Sequence, residues 1–544
     1  MNAALSNSLN RLSSAMLDKA IVSASEWACR FRKMGKPYPG DWTFDNHPWL
    51  LEMHDCPNQN VVGRKAAQMG FSETAINRVF KAIDIDKLSA AYILPTSTPD
   101  AHDFSATRFD PALEASEHLQ AMFSDVKNTK LKRSGSACLY IRSSRSKSQL
   151  KSFPAAILIM DEVDEFDPSN MHLIYERASG QLEEDVFIFQ ISTPTYEGIM
   201  IDARFEESDQ RHYHFKCPCC SRWDELDITS LVVTAEHQSD TRIEDSHLIC
   251  HHCKGVLPHE TKSEWVTLDN CMWVPKHTER NVAGFHIPQF YSHTVHPKRI
   301  AKLVIEAESD PQAKKELYNS KFGKPYVPDG GKVTDQHLNN CIGSHSMLTT
   351  YPRDGFITMG VDIGKTIDLE IDEWWLDESI HSEDVNLLAT PRVIKLAELS
   401  TFEELDQYME DFNVRSCVID LNPEVRKSAE FAGRFPGRVY RCVYSREPSA
   451  RELIMQEAEM KVSVNRTSWM DVGLGRFGLG NIVLPTNLPH RYRSNLKSPT
   501  RIIEGGKAFY IHKEKEPDHY AHTRTYNEIA LRIGLNVAQN KDIR

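Results

Sequence analysis

Several segments of the chain are apolar without alternation, a pattern typical of strands buried on both faces of a parallel sheet. The clearest of them lie at 90–95, 154–160 and 185–191. Before them, a short strand at Val61 and Val62 leads into a segment with one apolar helical face, formed by Ile76, Val79, Phe80 and Ile83. Buried strands that alternate with helices predict an α/β fold with a parallel sheet.

Polar side chains follow two of these strands at their carboxyl ends. Asp161 and Glu162 come directly after one strand, and Ser192 and Thr193 end the next. Because open α/β sheets bind ligands at this edge, the carboxylate pair indicates Mg²⁺-nucleotide chemistry, and the hydroxyl pair is suited to sensing a γ-phosphate. The alternative is a core strand followed by an acidic, solvated loop.

The segment after the first strand has the strand–loop–helix order of a phosphate-binding loop. Gly63 and Gly70 lie in it, and Ser72 is a good N-cap residue, so the helix N-terminus can receive an anion. The pattern departs from the usual P-loop, because Lys65 replaces its first glycine and Phe71 its lysine. We expect Lys65 to fold across the loop and supply the cation; a plain strand-to-helix connection is the alternative.

Two cysteine pairs have the spacing of a zinc ribbon. Cys217 and Cys220 are separated from Cys250 and Cys253 by 29 residues. Each pair offers two thiolates from one tight turn, which predicts tetrahedral Zn²⁺ rather than free thiols. Three neighbouring side chains could also bind the metal and leave the choice of ligands slightly open: Cys219, His251 and His252.

The last third of the chain places acidic residues at three similar positions. One strand ends at Asp362, a later one ends at Asp420, and Asp518 begins a helix. An RNase H-like nuclease gathers carboxylates around two divalent ions in this way, whereas each acid alone would be a turn residue or an N-cap. The strand after Asp362 carries alternate acids, of which Glu370 is a further candidate ligand: Asp368, Glu370 and Asp372.

Composition and charge narrow the class of protein. The chain is 40% hydrophobic and 26% charged, an ordinary globular composition, and 544 residues predict about two to four domains. A formal charge of −12 argues against a basic coat, although Val126–Lys151 and Arg491–Lys507 are basic tracts that could face DNA. With no apolar run of about eighteen residues and no signal-peptide core, we expect a cytosolic protein that is neither membrane-bound nor secreted.

The motifs KAAQMGFSE, ILIMDE and ISTP, in this order, resemble the ATPase half of tailed-bacteriophage terminase large subunits, in particular the lambda-like (GpA) family. The upstream WTFDNHPWLLE resembles the family's adenine-side segment. The resemblance implies binding of ATP and Mg²⁺ by Lys65, Gln68, Gly70, Phe71, Ser72, Glu73 and Asp161. It implies that Glu162 polarises the attacking water and that Ser192 and Thr193 couple hydrolysis to motion. Arg142 and Arg145 are candidates for the arginine finger.

Later segments extend the resemblance to the nuclease half. GFHIPQFYS, YNSKFGKPYVP, GVDIG and PDHYAHT look like family segments, and DLNPEV is a looser match. The resemblance implies a structural zinc ribbon and a nuclease whose Mg²⁺ or Mn²⁺ ions are bound by the catalytic Asp362, Asp420 and Asp518. The predicted domains are an N-terminal helical segment (1–40), a P-loop ATPase (41–210), a zinc ribbon (211–285), a connecting segment (286–345) and an RNase H-like nuclease (346–544).

The resemblance thus implies a packaging ATPase and endonuclease that moves double-stranded DNA into a procapsid and cuts concatemers. Implied partners are the small terminase subunit, the portal protein and further copies of the chain in a ring, all in the host cytoplasm. A zinc-containing helicase or repair ATPase is one rival, but it should show a second motor lobe where we find separated acids. A DNA-binding scaffold without catalytic activity is the other, and ATP turnover distinguishes it.

Overall fold

The computed structural model describes residues 22–541, apart from 36–38, 124–125, 152, 329, 352–354, 376–384, 447–451 and 505. The chain divides into two compact units, Met1–Tyr326 and Val327–Arg544. Much of the N-terminal helical segment predicted at 1–40 lies outside the described residues, and its described part contains the helix Ala24–Phe31. Within the described stretches, no helix combines the length and apolar character needed to span a membrane.

The first unit alternates strands and helices. Its strands are β1 (Lys33–Met34), β2 (Gly40–Asp41), β3 (Asn60–Lys65), β4 (Ala90–Leu94), β5 (Val126–Lys127), β6 (Leu131–Ser134), β7 (Ala137–Ser143), β8 (Ile157–Asp161), β9 (Phe187–Ser192), β10 (Arg211–Lys216), β11 (Trp223–Glu225), β12 (Leu231–Val232), β13 (His247–Ile249), β14 (Val256–Leu257), β15 (Cys271–Val274) and β16 (Ala283–Ile287). Its helices are α1 (Ala24–Phe31), α2 (Leu50–His54), α3 (Phe71–Lys81), α4 (His102–Phe104), α5 (Asp110–Ala115), α6 (Glu117–Met122), α7 (Met171–Tyr175), α8 (Met200–Glu207), α9 (Lys262–Trp265), α10 (Pro297–Ala307) and α11 (Pro311–Glu316).

Most of these strands form one mixed sheet in the order β11-β10-β16-β3-β9-β8-β4-β7-β6-β5, with β15 also paired to β10. The run from β10 to β7 is parallel, and antiparallel strands complete both ends. Every residue of β4 and β8 is buried, as their unbroken apolar sequences predict. The segment predicted as a zinc ribbon therefore contributes strands to the same sheet as the predicted ATPase segment.

The second unit contains a sheet with helices packed against it. Its strands are β17 (Phe356–Ile363), β18 (Ile367–Trp375), β19 (Thr390–Leu399), β20 (Ser416–Asp420), β21 (Val439–Tyr444), β22 (Leu453–Gln456), β23 (Lys461–Val464), β24 (Thr500–Glu504) and β25 (Lys507–Ile511). Its helices are α12 (Asp335–Asn340), α13 (Val385–Leu388), α14 (Glu403–Asp411), α15 (Val425–Arg434), α16 (Arg466–Leu479), α17 (His490–Lys497) and α18 (His519–Lys541).

Seven of these strands form a sheet in the order β19-β18-β17-β20-β21-β23-β22. Strands β17 to β19 are antiparallel neighbours, while β17, β20, β21 and β23 are parallel. Helix α18 packs against β17, β18 and β20. Since β17 and β20 are adjacent and parallel, the acids at their carboxyl ends lie on the same edge of the sheet.

Candidate functional sites

The loop between β3 and α3 is held by a left-handed residue at its end. Gly70 has a φ of 82° and directly precedes the helix, which begins at Phe71. Ser72 therefore lies in the first turn of the helix, and the prediction that it is the N-cap is wrong. A Cβ at position 70 would also approach Leu50 to 2.8 Å, so both backbone angle and space favour glycine here.

Lys65 is the cation at the start of this loop. Its Nζ lies 3.2 Å from Oε1 of Glu162 and 3.3 Å from Oγ1 of Thr193. These three residues follow or end β3, β8 and β9, which are neighbours in the sheet, so their ends converge. Ser192 adds a hydroxyl 3.4 Å from the second oxygen of Glu162. The structure thus brings together residues that lie far apart in the sequence.

Asp161 is buried behind this group. It accepts a hydrogen bond of 2.5 Å from the hydroxyl of Tyr92, and the Ser72 side chain is a further hydrogen-bond partner. Burial raises the pKa of Asp161 and the charge of Glu162 raises it further, whereas Lys65 and the hydrogen bonds oppose the shift. Sequence reasoning missed Tyr92, whose only signal is a hydroxyl inside an otherwise apolar strand.

Asp164 is a second residue that sequence reasoning missed. Its carboxylate accepts hydrogen bonds from the backbone and side chain of Thr195, both 2.7 Å, and from the backbone N–H of Ile201 at 3.0 Å. Loss of hydration raises its pKa to about 7 despite these bonds. The carboxylate ties the segment after β8 to the segment after β9, and so fixes the edge that carries Glu162 and Thr193.

A cavity of about 600 Å³ opens on this edge. The loop, Glu162 and Thr193 form one wall, and residues of the N-terminal segment form another, including Trp42, Asn46 and His47. Trp42, Phe44 and Trp49 are buried, which supports packing as the main role of these aromatic residues, although Trp42 also lines the cavity.

Arg108 is an additional cavity-lining cation. Its guanidinium lies 3.3 Å from Glu73. The predicted arginine-finger candidates do not line the cavity: Arg142 donates to the carbonyl of Lys130 at 2.7 Å, and Arg145 to that of Glu165 at 3.3 Å.

The four predicted zinc ligands converge in the first unit. The Sγ atoms of Cys217, Cys220, Cys250 and Cys253 lie within 4.8 Å of one another. Two of the Sγ–Sγ distances, Cys217–Cys253 and Cys220–Cys250, are 3.9 Å. A tetrahedron with Zn–S bonds of about 2.3 Å has edges of about 3.8 Å, so the cluster fits zinc.

The neighbouring donors lie outside this cluster. His251 is engaged with Asp224, with Nδ1 2.9 Å from the carboxylate, and Nε2 of His252 lies 3.1 Å from the Trp223 carbonyl. Cys219 is exposed. These contacts favour the four predicted cysteines as the ligands.

The three predicted nuclease acids lie near the ends of two strands and a helix. Oδ2 of Asp362, on β17, is 2.7 Å from Nδ1 of His519, and Oδ2 of Asp518 is 3.3 Å from Nε2 of His522. Asp420 ends β20, and burial together with the charge of Asp362 raises its pKa to about 6. Burial also raises the pKa of Asp518, but the hydrogen bond and charge of His522 outweigh it and hold that pKa below its ordinary value.

These aspartates form a looser group than the cysteines. Among groups of at least three His, Cys, Asp or Glu residues in the part of the chain that the structure describes, the four-cysteine cluster is the one group whose ligand atoms all lie within 4.8 Å of one another. Sequence reasoning missed both histidines as partners of the acids. Their signal is the spacing of the segment DHYAH, which puts them on the first turn of α18.

The alternate acids of β18 are engaged in ion pairs. Arg491 donates to both oxygens of Asp368, at 3.0 and 2.7 Å. Glu370 and Asp372 are fully buried, and each lies 2.6 Å from Nη1 of Arg524. The suggestion that Glu370 joins the metal ligands is therefore corrected: its carboxylate belongs to a buried ion-pair network.

Some basic residues of the two basic tracts also form ion pairs with acidic residues of the protein itself. Lys132 is buried and lies 3.0 Å from Asp110. In the later tract, Lys497 pairs with Asp335 at 2.8 Å, while Arg501 pairs with Asp471 at 2.7 Å. These pairs reduce the positive charge that either tract offers to a DNA backbone.

A mixed parallel sheet with a lysine-bearing phosphate loop, joined to a second sheet with strand-end carboxylates, defines a two-domain ATPase–nuclease. The chain belongs to the phage terminase large subunit gpA family. Residues 36–273 match "Phage terminase large subunit gpA, ATPase domain", and residues 282–411 match "Terminase large subunit gpA, endonuclease domain". The chain therefore has an ATPase domain and an endonuclease domain, which implies a DNA substrate that is packaged and cut, and the predicted family is confirmed.

Two large terminases are among the solved structures that match the chain. The HK97 bacteriophage large terminase matches 93% of this chain and 99% of its own, with 10% identity and a TM-score of 0.54. The large terminase from a thermophilic bacteriophage matches 90% of this chain and 98% of its own, with 10% identity and a TM-score of 0.30. The HK97 likeness shows a shared fold. No curated protein matches the chain.

Proposed function

We propose that this chain is the motor and nuclease of a tailed phage's packaging machine, driving double-stranded DNA into the procapsid by ATP hydrolysis and cutting concatemeric DNA. The observation that carries the proposal is Nζ of Lys65 between Glu162 and Thr193, at 3.2 and 3.3 Å, on the wall of a cavity of about 600 Å³. A cation, a carboxylate and a hydroxyl at one sheet edge are the groups that phosphoryl transfer to water requires.

In the ATPase site, each side chain has a role fitted to its position. Lys65 binds the β- and γ-phosphates, while Gln68 to Glu73 wrap the phosphates with backbone N–H groups and the start of α3. Ser72 and Asp161 hold Mg²⁺, whose charge neutralises that of the phosphates. Glu162 polarises the attacking water, and Ser192 and Thr193 transmit the state of the γ-phosphate to β9.

In the second unit, Asp362, Asp420 and Asp518 hold the Mg²⁺ or Mn²⁺ ions of an RNase H-like nuclease. Such ions activate water and stabilise the leaving oxygen of the cut strand. In the first unit, the four clustered cysteines hold a structural Zn²⁺. The proposal also includes binding to the small terminase subunit and the portal protein, assembly into a homo-oligomeric ring, and location in the host cytoplasm. These parts of the proposal rest on family membership alone.

Two substitutions test the ATPase assignment. Glu162→Gln should lower ATP turnover about 100-fold and leave nucleotide binding nearly unchanged, because a water-polarising residue acts mainly in the transition state. Lys65→Ala should weaken nucleotide binding as well. Turnover assays and nucleotide titrations of the full-length protein measure both effects.

Glu165→Gln is the matched control, since Glu165 is an exposed carboxylate on the same loop outside the cavity. Normal ATP hydrolysis by Lys65→Ala would refute the proposed loop. Arg64 could not then easily replace the lysine, because its guanidinium is buried, 2.6 Å from Asp202.

A further inference from the structure

Two backbone carbonyls of the phosphate loop are held by side chains from outside the loop. The indole N–H of Trp49 donates to the carbonyl of Met69 at 2.8 Å, and the amide of Gln289 donates to that of Ala67 at 3.0 Å. Trp49 and Gln289 are buried, 1% and 4% exposed. Because hydrogen bonds shielded from water are directional and costly to lose, these two contacts fix the path of the loop.

The contact through Trp49 continues into the segment that carries the cysteines. The carbonyl of Trp49 accepts a 2.9 Å hydrogen bond from the indole N–H of Trp273 on β15. Trp273 pairs with Tyr213 on β10, and their ring centroids are 4.9 Å apart. Since β10 ends at Lys216, its next residue is Cys217, so the first cysteine pair directly follows the strand that positions Trp273.

The contact through Gln289 leads to the same segment by a second route. The carbonyls of Phe290 and Ser292 accept hydrogen bonds of 2.8 and 3.0 Å from Nζ of Lys262. Lys262 lies on α9, shortly after the second cysteine pair, and is 1% exposed. The buried amino group of Lys262, which donates to two carbonyls, thus holds this turn against the ribbon.

We propose that the cysteine ribbon is a support for the phosphate loop, so that zinc occupancy sets nucleotide affinity. One chain of contacts runs from Trp273 through Trp49 to Met69, and the other from Lys262 through the turn at Gln289 to Ala67. Trp273, Trp49, Lys262 and Gln289 are positioning residues, because they act through the loop. The binding energy of a structural metal is folding energy, so zinc loss loosens the ribbon and both contact chains. The inference rests on the ATP and zinc sites proposed above.

The test compares two tryptophan substitutions in the zinc-loaded full-length protein. Trp273→Phe removes the N–H that faces Trp49 and keeps an aromatic ring. Trp265→Phe is the matched control, because its N–H donates at 3.3 Å to the carbonyl of Pro258 within the ribbon. We expect Trp273→Phe to raise the ATP dissociation constant about fivefold or more, since it removes the buried hydrogen bond that fixes Trp49, the residue that donates to the Met69 carbonyl. The control should bind ATP as the wild type does, and both should contain about one Zn²⁺ per chain.

Zinc removal provides the second measurement. Stripping zinc from the wild type with a chelator should weaken ATP binding. The same treatment should cause a smaller further loss of affinity in Trp273→Phe, because that variant already lacks one of the two contact chains through which zinc removal acts. If Trp273→Phe fails to fold, Gln289→Met removes the other donor to the loop and should give a similar loss of ATP affinity.

Equal ATP affinity in the Trp273→Phe, Trp265→Phe and wild-type proteins would overturn the inference, as would unchanged affinity after zinc removal. Other results would show that the proposed ATP site or the proposed zinc site is itself wrong. Normal nucleotide binding by Lys65→Ala would refute the ATP site, and a wild type without zinc would refute the metal site. If Lys65→Ala loses binding while Trp273→Phe retains it, only the support of the loop by the ribbon is wrong.

Discussion

At the scale of single residues, the second unit contains a fully buried network of charges. Glu370, Asp372 and Glu528 face Arg524 and Arg476, and all five side chains are nearly inaccessible to solvent. Three carboxyl groups against two guanidinium groups leave one negative charge in excess. Burial raises the pKa of Glu370 to about 8, with Asp372 adding to the shift and Arg524 opposing it. We therefore expect the network to hold one proton at pH 7, and to hold it on Glu370 rather than on Asp372, whose pKa burial raises to about 6.

This assignment predicts how stability depends on pH. The folded-state pKa of Glu370 lies above its ordinary value of 4.5, so the folded protein binds more protons than the unfolded chain between the two values. The contribution of Glu370 to stability consequently falls as the pH rises through that window. Glu370→Gln mimics the protonated acid and should flatten this part of the profile. At pH 7 it should change the free energy of unfolding by less than about 1 kcal/mol. Denaturant titrations across the window measure both effects.

Glu528→Gln is the contrasting variant within the same network. Burial raises the pKa of Glu528, but Arg476 and Arg524 outweigh it and hold that pKa below its ordinary value. Neutralising Glu528 should therefore cost about 3 kcal/mol or more, since it leaves buried cations short of a partner. If Glu370→Gln and Glu528→Gln lowered the free energy of unfolding equally, Glu370 would have to be ionised in the folded protein.

At the scale of elements, the positions of the three proposed nuclease acids depend on how closely α18 approaches β17. A Cβ at Gly360 of β17 would overlap the carbonyl oxygen of Thr523 and lie 2.9 Å from the backbone nitrogen of Asn527. The missing side chain thus lets the backbone of the helix rest on the strand. Asp518 directly precedes this helix, and His519 on its first turn contacts Asp362.

Gly360→Ala should consequently reduce DNA cleavage. The added methyl group must push α18 away from β17, which would separate Asp518 from Asp362 and disturb the proposed metal ligands. Overpacking of this kind typically costs about 1–3 kcal/mol. Cleavage of plasmid DNA with Mg²⁺ or Mn²⁺ should fall about tenfold or more, because displacements of about 1 Å are costly in catalysis. ATP turnover should stay normal.

Gly475→Ala is the control for this change, because a Cβ there meets nothing within 4 Å and the residue lies inside α16. That variant should be as stable as the wild type or slightly more stable. Full cleavage by Gly360→Ala would show that the contact between helix and strand does not position the acids.

At the scale of the whole molecule, the two proposed active sites lie in different compact units. The phosphate loop and the cysteine ribbon belong to the first unit, and Asp362, Asp420 and Asp518 belong to the second. Each unit has its own sheet and its own buried apolar clusters. We therefore expect that substitutions can remove one activity and leave the other.

Asp420→Asn tests this separation, because it keeps the shape of the side chain and removes a charge that a divalent ion needs. We expect loss of metal-dependent nicking of plasmid DNA and ATP hydrolysis close to that of the wild type. Asp406→Asn is the control, since Asp406 lies in the same unit and pairs with Arg434 at the surface. Nicking that survives in the Asp362, Asp420 and Asp518 variants alike would reduce the second unit to a DNA-binding domain.

Much of this protein is determined by sequence that is local along the chain. Unbroken apolar runs predicted the central strands, and the confirmed α/β class follows from them, because burial on both faces leaves no polar alternation. Two closely spaced cysteine pairs predicted the four-cysteine cluster, since each tight turn presents both thiols by itself. The order of motifs also indicated the family. Positions such as Lys65, Glu162 and Asp420 were named because strand ends carry chemistry in this class of fold.

Tertiary structure alone decided which distant side chains act together. The hydroxyl of Tyr92 on Asp161, the pairing of Arg524 with Glu370, and the indole of Trp273 on Trp49 join residues that lie far apart in the chain. Local sequence also suggested that Ser72 caps the helix, whereas Gly70 occupies the preceding position in a left-handed conformation. One physical reason explains why local sequence did not predict these contacts. Apolar periodicity is a property of neighbouring residues, whereas the partner of a buried polar group is chosen by which strands and helices pack against each other.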